Sequence, residues 1–197
     1  MMALNMSIVL SKPKWHLKWQ FDRLIDAAID AGIVIFVAAG NNGPQKNTIT
    51  YPGSHPRVIT INAIDDNNTP QFNDNTEWNS SSRGRKKVFS APGVEIRAAS
   101  GMEDGKPVYT IMSGTSMATP FMTGLGELIL QEYARLSRAN KIPRDTIAAE
   151  FIQFMFEKYS YDHPHIPNQW EGPGVPQAHL ILANMEAELL RFTALLN

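Results

Sequence analysis

Ile33-Val34-Ile35-Phe36-Val37 is an unbroken apolar run, rich in β-branched residues, that ends in Ala38-Ala39-Gly40-Asn41-Asn42-Gly43. No polar residue alternates with the apolar ones, so a strand built from this run has no face to give to water. A strand covered on both sides belongs to a sheet flanked by helices. Helical spacing of apolar residues occurs just upstream, with Phe21, Leu24, Ile25, Ala28 and Ile29 inside 19–31, and Gly32 is a natural stop. A strand is predicted before it (3–9), with 11–18 as a linker. Further strands are predicted at 34–38, 58–63, 88–91 and 108–112, and a polar loop at 65–79. A long helix runs over 115–138, its Pro120 tolerated near the first turn; two more cover 145–159 and 176–196. This alternation predicts an α/β fold with a largely parallel sheet flanked by helices, as one domain over 1–197.

The long helix opens on Ser113-Gly114-Thr115-Ser116-Met117-Ala118-Thr119-Pro120. A serine here sits among unpaired backbone N–H groups at the positive end of the helix dipole. That environment suits a helix cap, and it also suits a developing oxyanion. Asn41 likewise reads as a turn residue at a strand end.

The octet 113–120 resembles the nucleophile motif of the subtilisin-like serine proteases, and Ala38-Ala39-Gly40-Asn41 resembles the same family's oxyanion asparagine element. Other stretches match in family order: Asn5-Met6-Ser7, the 21–32 helix, Tyr51-Pro52-Gly53, 58–63, 89–94 and Gly172-Pro173-Gly174-Val175-Pro176-Gln177-Ala178. The resemblance implies a serine endopeptidase of the peptidase S8 type. Ser116 would be the nucleophile, Asn41 the oxyanion-hole donor, and Thr115 a supporting hydroxyl. Ser7, Ala38, Ala39, Gly40 and Gly114 would form the substrate-binding wall. It also implies a cis Tyr51–Pro52 bond. It is the sole ground for a structural calcium ion, for which no residue is assigned.

A serine nucleophile needs a base and a carboxylate that orients the base. In this family both precede the Asn5 strand, and the 197 residues hold neither segment, so the expected fold lacks its N-terminal part. The five histidines, His16, His55, His163, His165 and His179, stand in no family-like motif and read as surface or structural; His163-Pro164-His165 has no evident third metal ligand. The chain departs from the family at Ile8-Val9-Leu10, where a glycine-containing substrate edge is usual, and at Phe121, where a non-catalytic histidine is common. Lys14, Trp15, Lys18 and Trp19 match no family role.

Eighteen basic and 19 acidic residues give a net charge of −1, which offers no electrostatic footprint for nucleic acid or an anionic membrane. Arg83-Gly84-Arg85-Lys86-Lys87 reads as a solvated loop. Without cysteine there is no disulfide or thiol chemistry. No apolar run reaches the ~18–20 residues of a membrane span, and no secretory leader pattern opens the chain, so a soluble, cytoplasmic product is expected. Two readings follow. One is a subtilisin-like endopeptidase, inactive as this chain alone, whose base and acid come from a second polypeptide or a longer parent. The other is a non-catalytic remnant acting as a binding module. Without the family's neighbouring strand, the 4–10 strand and the helix surface at Met117, Phe121 and Leu125 invite self-association, a partner chain or an N-terminal segment refolded over the edge; peptide or protein is the expected substrate.

Overall fold

The computed structural model describes residues 2–10, 12–67, 75–84, 88–142, 148–167, 170 and 172–195. The elements run β1 (Met2–Met6), α1 (Trp15–Asp30), β2 (Ile33–Ala38), β3 (Ile59–Asp65), β4 (Thr76–Glu77), β5 (Phe89–Pro92), β6 (Ile96–Glu103), β7 (Lys106–Met112), α2 (Thr115–Ala139), α3 (Ala148–Lys158), β8 (Ser160–Tyr161), β9 (Val175–Pro176) and α4 (Ala178–Ala194). β1, β2, β3 and β5 form a parallel sheet in which β2 pairs with β1 and β3, and β3 also pairs with β5. Short β4 joins β3 antiparallel. β6 and β7 make a separate antiparallel hairpin, and β8 and β9 a second small pair. The α/β architecture with a largely parallel sheet is the one the apolar β2 run implies.

From Val34 to Ala38 every β2 residue is buried, as a strand covered on both faces must be. α1 covers it with Ile25 and Ile29, α2 with Ala118, Met122, Ile129, Leu130 and Tyr133, and α3 and α4 complete the core around Phe151, Phe156, Met185 and Leu189. α2 comes close to β2 at Gly126, where an added Cβ would lie 2.3 Å from the Phe36 ring. That position tolerates no side chain while Phe36 fills the space.

Several sequence expectations change. α1 starts at Trp15, so 15–18 is helix and not linker; Lys18 N–H already donates to the Lys14 carbonyl at 2.9 Å. β6 was not foreseen at all. Its turn, Asp104-Gly105 with φ of 47° and 74°, is the Asp-Gly signal of a two-residue hairpin. β4 falls inside the expected 65–79 loop, of which 68–74 lie outside the described residues. The expected start of α3 at 145 likewise lies outside them. Arg83 is not solvated: it is 5% exposed. It grips Glu77 in a two-pronged ion pair of 2.7 and 2.8 Å, donates to the Pro44 carbonyl, and stacks over Trp170 at 4.1 Å. A buried guanidinium is stable only when paired this way. The neighbouring 85–87 lie outside the described residues. Tyr51–Pro52 is cis, as the resemblance implies.

Candidate functional site

Three stretches distant in sequence meet at the first turn of α2. The turn after β2 brings in Gly40 and Asn41, the loop after β7 brings Ser113 and Gly114, and the exit of β1 brings Ser7. Gly40 makes the first of these possible. Its φ is +104°, and an added Cβ would sit 2.5 Å from Thr50 Oγ1 and 3.0 Å from Ser82 Oγ, so only glycine fits. Behind it, Thr50 donates through both its N–H and its hydroxyl to the Ala39 carbonyl, at 2.9 and 3.0 Å. Ser82 N–H donates to the Gly40 carbonyl, and Asn42 N–H donates to Ser82 Oγ at 3.0 Å. The turn that carries Asn41 is therefore held at the Ala39 and Gly40 carbonyls and at the Asn42 N–H.

Thr115, 1% exposed, ties that turn to the helix. Its hydroxyl accepts the Gly40 N–H at 3.1 Å and donates to Asn41 Oδ1 at 2.9 Å, and its own N–H donates to the same oxygen at 3.1 Å. An oxygen that accepts two bonds settles which end of the amide is which. The NH2 end of Asn41 faces Gly114, where an added Cβ would come within 3.3 Å of Nδ2. Gly114 N–H donates to the Gly93 carbonyl at 2.8 Å, and the Gly114 carbonyl receives Met117 and Ala118 N–H at 3.0 and 3.3 Å. Gly93 is itself forced: a Cβ there would meet Ala63 Cβ at 2.7 Å and the Gly114 carbonyl at 2.9 Å.

Ser116 is half-buried at the second position of α2. Its carbonyl accepts the Ser7 hydroxyl at 3.0 Å, and Ser7 also exchanges a hydrogen bond with Asn5. The sequence-predicted residues Ser7, Gly40, Asn41, Gly114, Thr115 and Ser116 are thus assembled in one place. Ala38 and Ala39, the other residues of the expected wall, lie beside it. Both are wholly buried at the end of β2, directly before Gly40. Sequence reasoning missed Thr50, Ser81 and Ser82. Ser81 and Ser82 sit in a polar segment that gave no sign of burial, yet both are completely buried, Ser81 accepting the Ala63 N–H at 3.0 Å.

The histidines lie elsewhere. His16 is exposed on α1 and His179 exposed on α4. His55 is 4% exposed; its Nδ1 accepts the Arg57 N–H, and its Nε2 lies 3.8 Å from carboxylate oxygens of both Asp22 and Asp26. His165 bonds to the Asn75 carbonyl, and His163 is buried beside Tyr161. Among the described residues no histidine or carboxylate is hydrogen-bonded to Ser116, and no three histidine or acidic side chains gather in a way that would hold a metal ion. Among them too, no helix is long and apolar enough to cross a membrane.

The sequence profile described as "Subtilase family" matches residues 2–185. Serine protease AprX of Bacillus subtilis (strain 168) is 44% identical over 127 residues, which is 56% of this chain and 28% of AprX. Subtilisin DY of Bacillus licheniformis is 38% identical over 116 residues, covering 57% of this chain and 38% of that protein. The matched stretch therefore spans only about a third of these relatives. Among solved structures, sphericase superposes with a TM-score of 0.59 at 26% identity, over 82% of this chain and 50% of sphericase. The self-cleaved protease domain of PatA reaches 0.69 at 20% identity, over 94% of this chain and 62% of that domain, a likeness of fold.

Proposed function

The chain belongs to the subtilase family, a family of serine proteases, and on that premise we propose that it is the nucleophile-bearing part of a subtilisin-like endopeptidase acting on peptide or protein substrates. Ser116 is the nucleophile. The oxyanion formed when its hydroxyl attacks a scissile carbonyl is received by Asn41 Nδ2 and the Ser116 N–H. Thr115 positions Asn41, Gly114 keeps the space in front of the amide clear, and Ser7 and Gly40 form the walls. The observation that carries this reading is the pair of hydrogen bonds that the Thr115 N–H and hydroxyl donate to Asn41 Oδ1. A plain turn asparagine has no use for a buried threonine that commits its amide to one orientation.

The base and its orienting acid come from a second polypeptide or from further segments of a parent protein. Without them the serine hydroxyl keeps its proton and attacks poorly at neutral pH. The purified chain is expected to hydrolyse an unstructured protein no faster than its Ser116→Ala variant. Adding a polypeptide that carries the family's aspartate and histidine segments should create turnover. In that reconstituted enzyme Asn41→Ala should cost about 2.7–4 kcal/mol of transition-state stabilisation, roughly 10²–10³ in kcat, a magnitude known from a member of the same family. Turnover by the chain alone that Ser116→Ala abolishes would show a base within these residues. Turnover insensitive to Asn41 would remove it from the oxyanion role.

One observation favours a second reading: no histidine or carboxylate among the described residues is bonded to Ser116. On that reading the chain is a binding module that keeps the receptor and not the chemistry. The coding sequence upstream of Met1 separates the two, since aspartate and histidine motifs encoded there, in frame or beside this gene, belong only to the protease.

A further inference from the structure

Asn41 and Asn42 are exposed, yet the backbone around them is held by a serine that water does not reach. Ser82 is 0% exposed. Its N–H donates to the Gly40 carbonyl at 2.9 Å, and its Oγ accepts the Asn42 N–H at 3.0 Å. Those two groups belong to the two peptide units that meet at the Asn41 Cα. A peptide unit is planar, so holding one group of each unit restrains φ and ψ of Asn41 together. An exposed N–H can be satisfied by water; the Asn42 N–H has a buried hydroxyl as its acceptor.

Ser82 is in turn held by its neighbours on both sides. Gly43 N–H donates to the Ser80 carbonyl at 2.9 Å, and an added Cβ on Gly43 would run into the carbonyl oxygens of Ser81 and Asn79, so the two backbones lie in contact. On the other side Arg83 N–H donates to Thr48 Oγ1 at 2.9 Å, and Thr48 N–H donates to the Arg83 carbonyl at 2.7 Å. The Arg83 guanidinium, gripped by Glu77, reaches the Pro44 carbonyl at 2.9 Å. The loop that follows Asn41 is therefore fastened at Gly43, Pro44 and Thr48 to the segment that carries Ser82.

Asn41 is held at both ends as a result. Thr115 holds the tip of the side chain at Oδ1, and Ser82 holds the backbone from which it springs. An asparagine side chain has two torsions, and with its base and its tip both held, Nδ2 is left one direction. Resting on the protease reading above, we propose that Ser82 is a positioning residue for the oxyanion-hole amide. It touches neither the substrate nor the reacting atoms and acts through Asn41. A donor that stabilises an oxyanion has to be in place before the charge develops. The ground-state substrate depends less on that donor, so loss of the Ser82 hydroxyl falls on kcat and spares KM.

The first measurement needs no turnover. In the chain as it stands, Ser82→Ala should shift or broaden the Asn41 side-chain NH2 resonances, which are assigned by their loss in Asn41→Ala. Glu188→Gln, in the α3–α4 clamp, should leave them unchanged, which separates positioning from general loosening. The second measurement uses the chain reconstituted with the family's aspartate and histidine segments. There Ser82→Ala should lower kcat about 10- to 100-fold with KM within about twofold. In an Asn41→Ala background the same change should lower kcat by less than about twofold, because the group it acts through is gone. A serine with a merely structural role would give the same fall in both backgrounds. Should Ser82→Ala fail to fold, Ser82→Cys keeps the size, weakens the acceptor and gives both readouts. Unchanged Asn41 resonances, or equal falls in kcat with and without the Asn41 amide, overturn the proposal. Perturbed Asn41 resonances in a chain for which no reconstituted form turns over would sink the protease reading and leave the hold of Ser82 on Asn41 standing.

Discussion

Thr115 joins two stretches of chain 74 positions apart. The Gly40 N–H has Thr115 Oγ1 as its acceptor, and Asn41 Oδ1 has Thr115 for both of its donors. Thr115→Val keeps the shape and removes the hydroxyl. It leaves a buried N–H without its acceptor and frees the Asn41 amide to turn. We expect a loss of about 1–3 kcal/mol in urea unfolding, together with exchange broadening of the Asn41 side-chain NH2 resonances; Thr115→Ser should restore both. Asn41, Ser116 and Gly114 were legible in the sequence because each lies in a short contiguous motif. The destination of the Thr115 hydroxyl was not, since a tertiary hydrogen bond leaves no periodicity to read. The same holds for Arg83, whose basic neighbours suggested solvent and whose partners Glu77, Pro44 and Trp170 come from three other places in the chain.

Elements were legible where burial imposes a pattern. β2 and α2 emerge within a residue of their bounds because both are packed along their length. α1 begins a turn early because Trp15 and Leu17 are exposed, so its first turn carries no core-facing spacing. β6 was missed because Arg97-Ala98-Ala99-Ser100 carries no strand alternation. Packing at the α2–β2 contact gives one prediction. Gly126→Ala places a methyl group into the Phe36 ring, and the overpacking of about 1–3 kcal/mol outweighs the helix-propensity gain of ~1 kcal/mol. The variant should unfold at lower urea, and Phe36→Leu should be less harmful in its presence than alone, giving measurable coupling in a double-mutant cycle. The α3–α4 clamp gives another. Glu188 of α4, almost wholly buried, meets Lys158 at 2.9 Å, Tyr159 Oη at 3.2 Å and Arg191 at 3.2 Å. Lys158 first, then Tyr159 and Arg191, hold its carboxyl below the ordinary glutamate value of 4.5 against the opposing pull of burial. A depressed folded pKa means the unfolded chain binds the proton first. The stabilisation is present above pH ~4.5 and is lost as pH falls through the folded value. Glu188→Gln should therefore show a shallower fall in stability below pH 4.5, read from urea midpoints across pH 3–7.

At the scale of the whole molecule, the sheet described here is open along β1. Among the described residues β1 pairs only with β2, and Met2 and Leu4 are exposed along it. An unpaired strand edge is a template for another chain. This edge is not bare: Glu127 of α2 accepts the Ala3 N–H at 3.0 Å, and Thr123 reaches Asn5. Glu127→Ala removes the acceptor and should raise self-association, seen as scattering that grows with concentration. Glu127→Gln, which keeps an acceptor oxygen, should stay close to the parent. Scattering unchanged by Glu127→Ala would show that the edge is not the adhesive surface.

The Glu127–Ala3 contact has a further consequence for what can join the sheet. A charge-assisted hydrogen bond of this sort is worth about 1.5–3 kcal/mol, and an arriving strand has to break it before offering a carbonyl of its own. A stray segment that brings one or two hydrogen bonds gains too little from the exchange and leaves. A strand that runs the length of β1 in register brings several at once and displaces the carboxylate. The glutamate thus raises the cost of pairing at Ala3, a cost that a strand bringing several hydrogen bonds offsets more readily than one bringing a single bond.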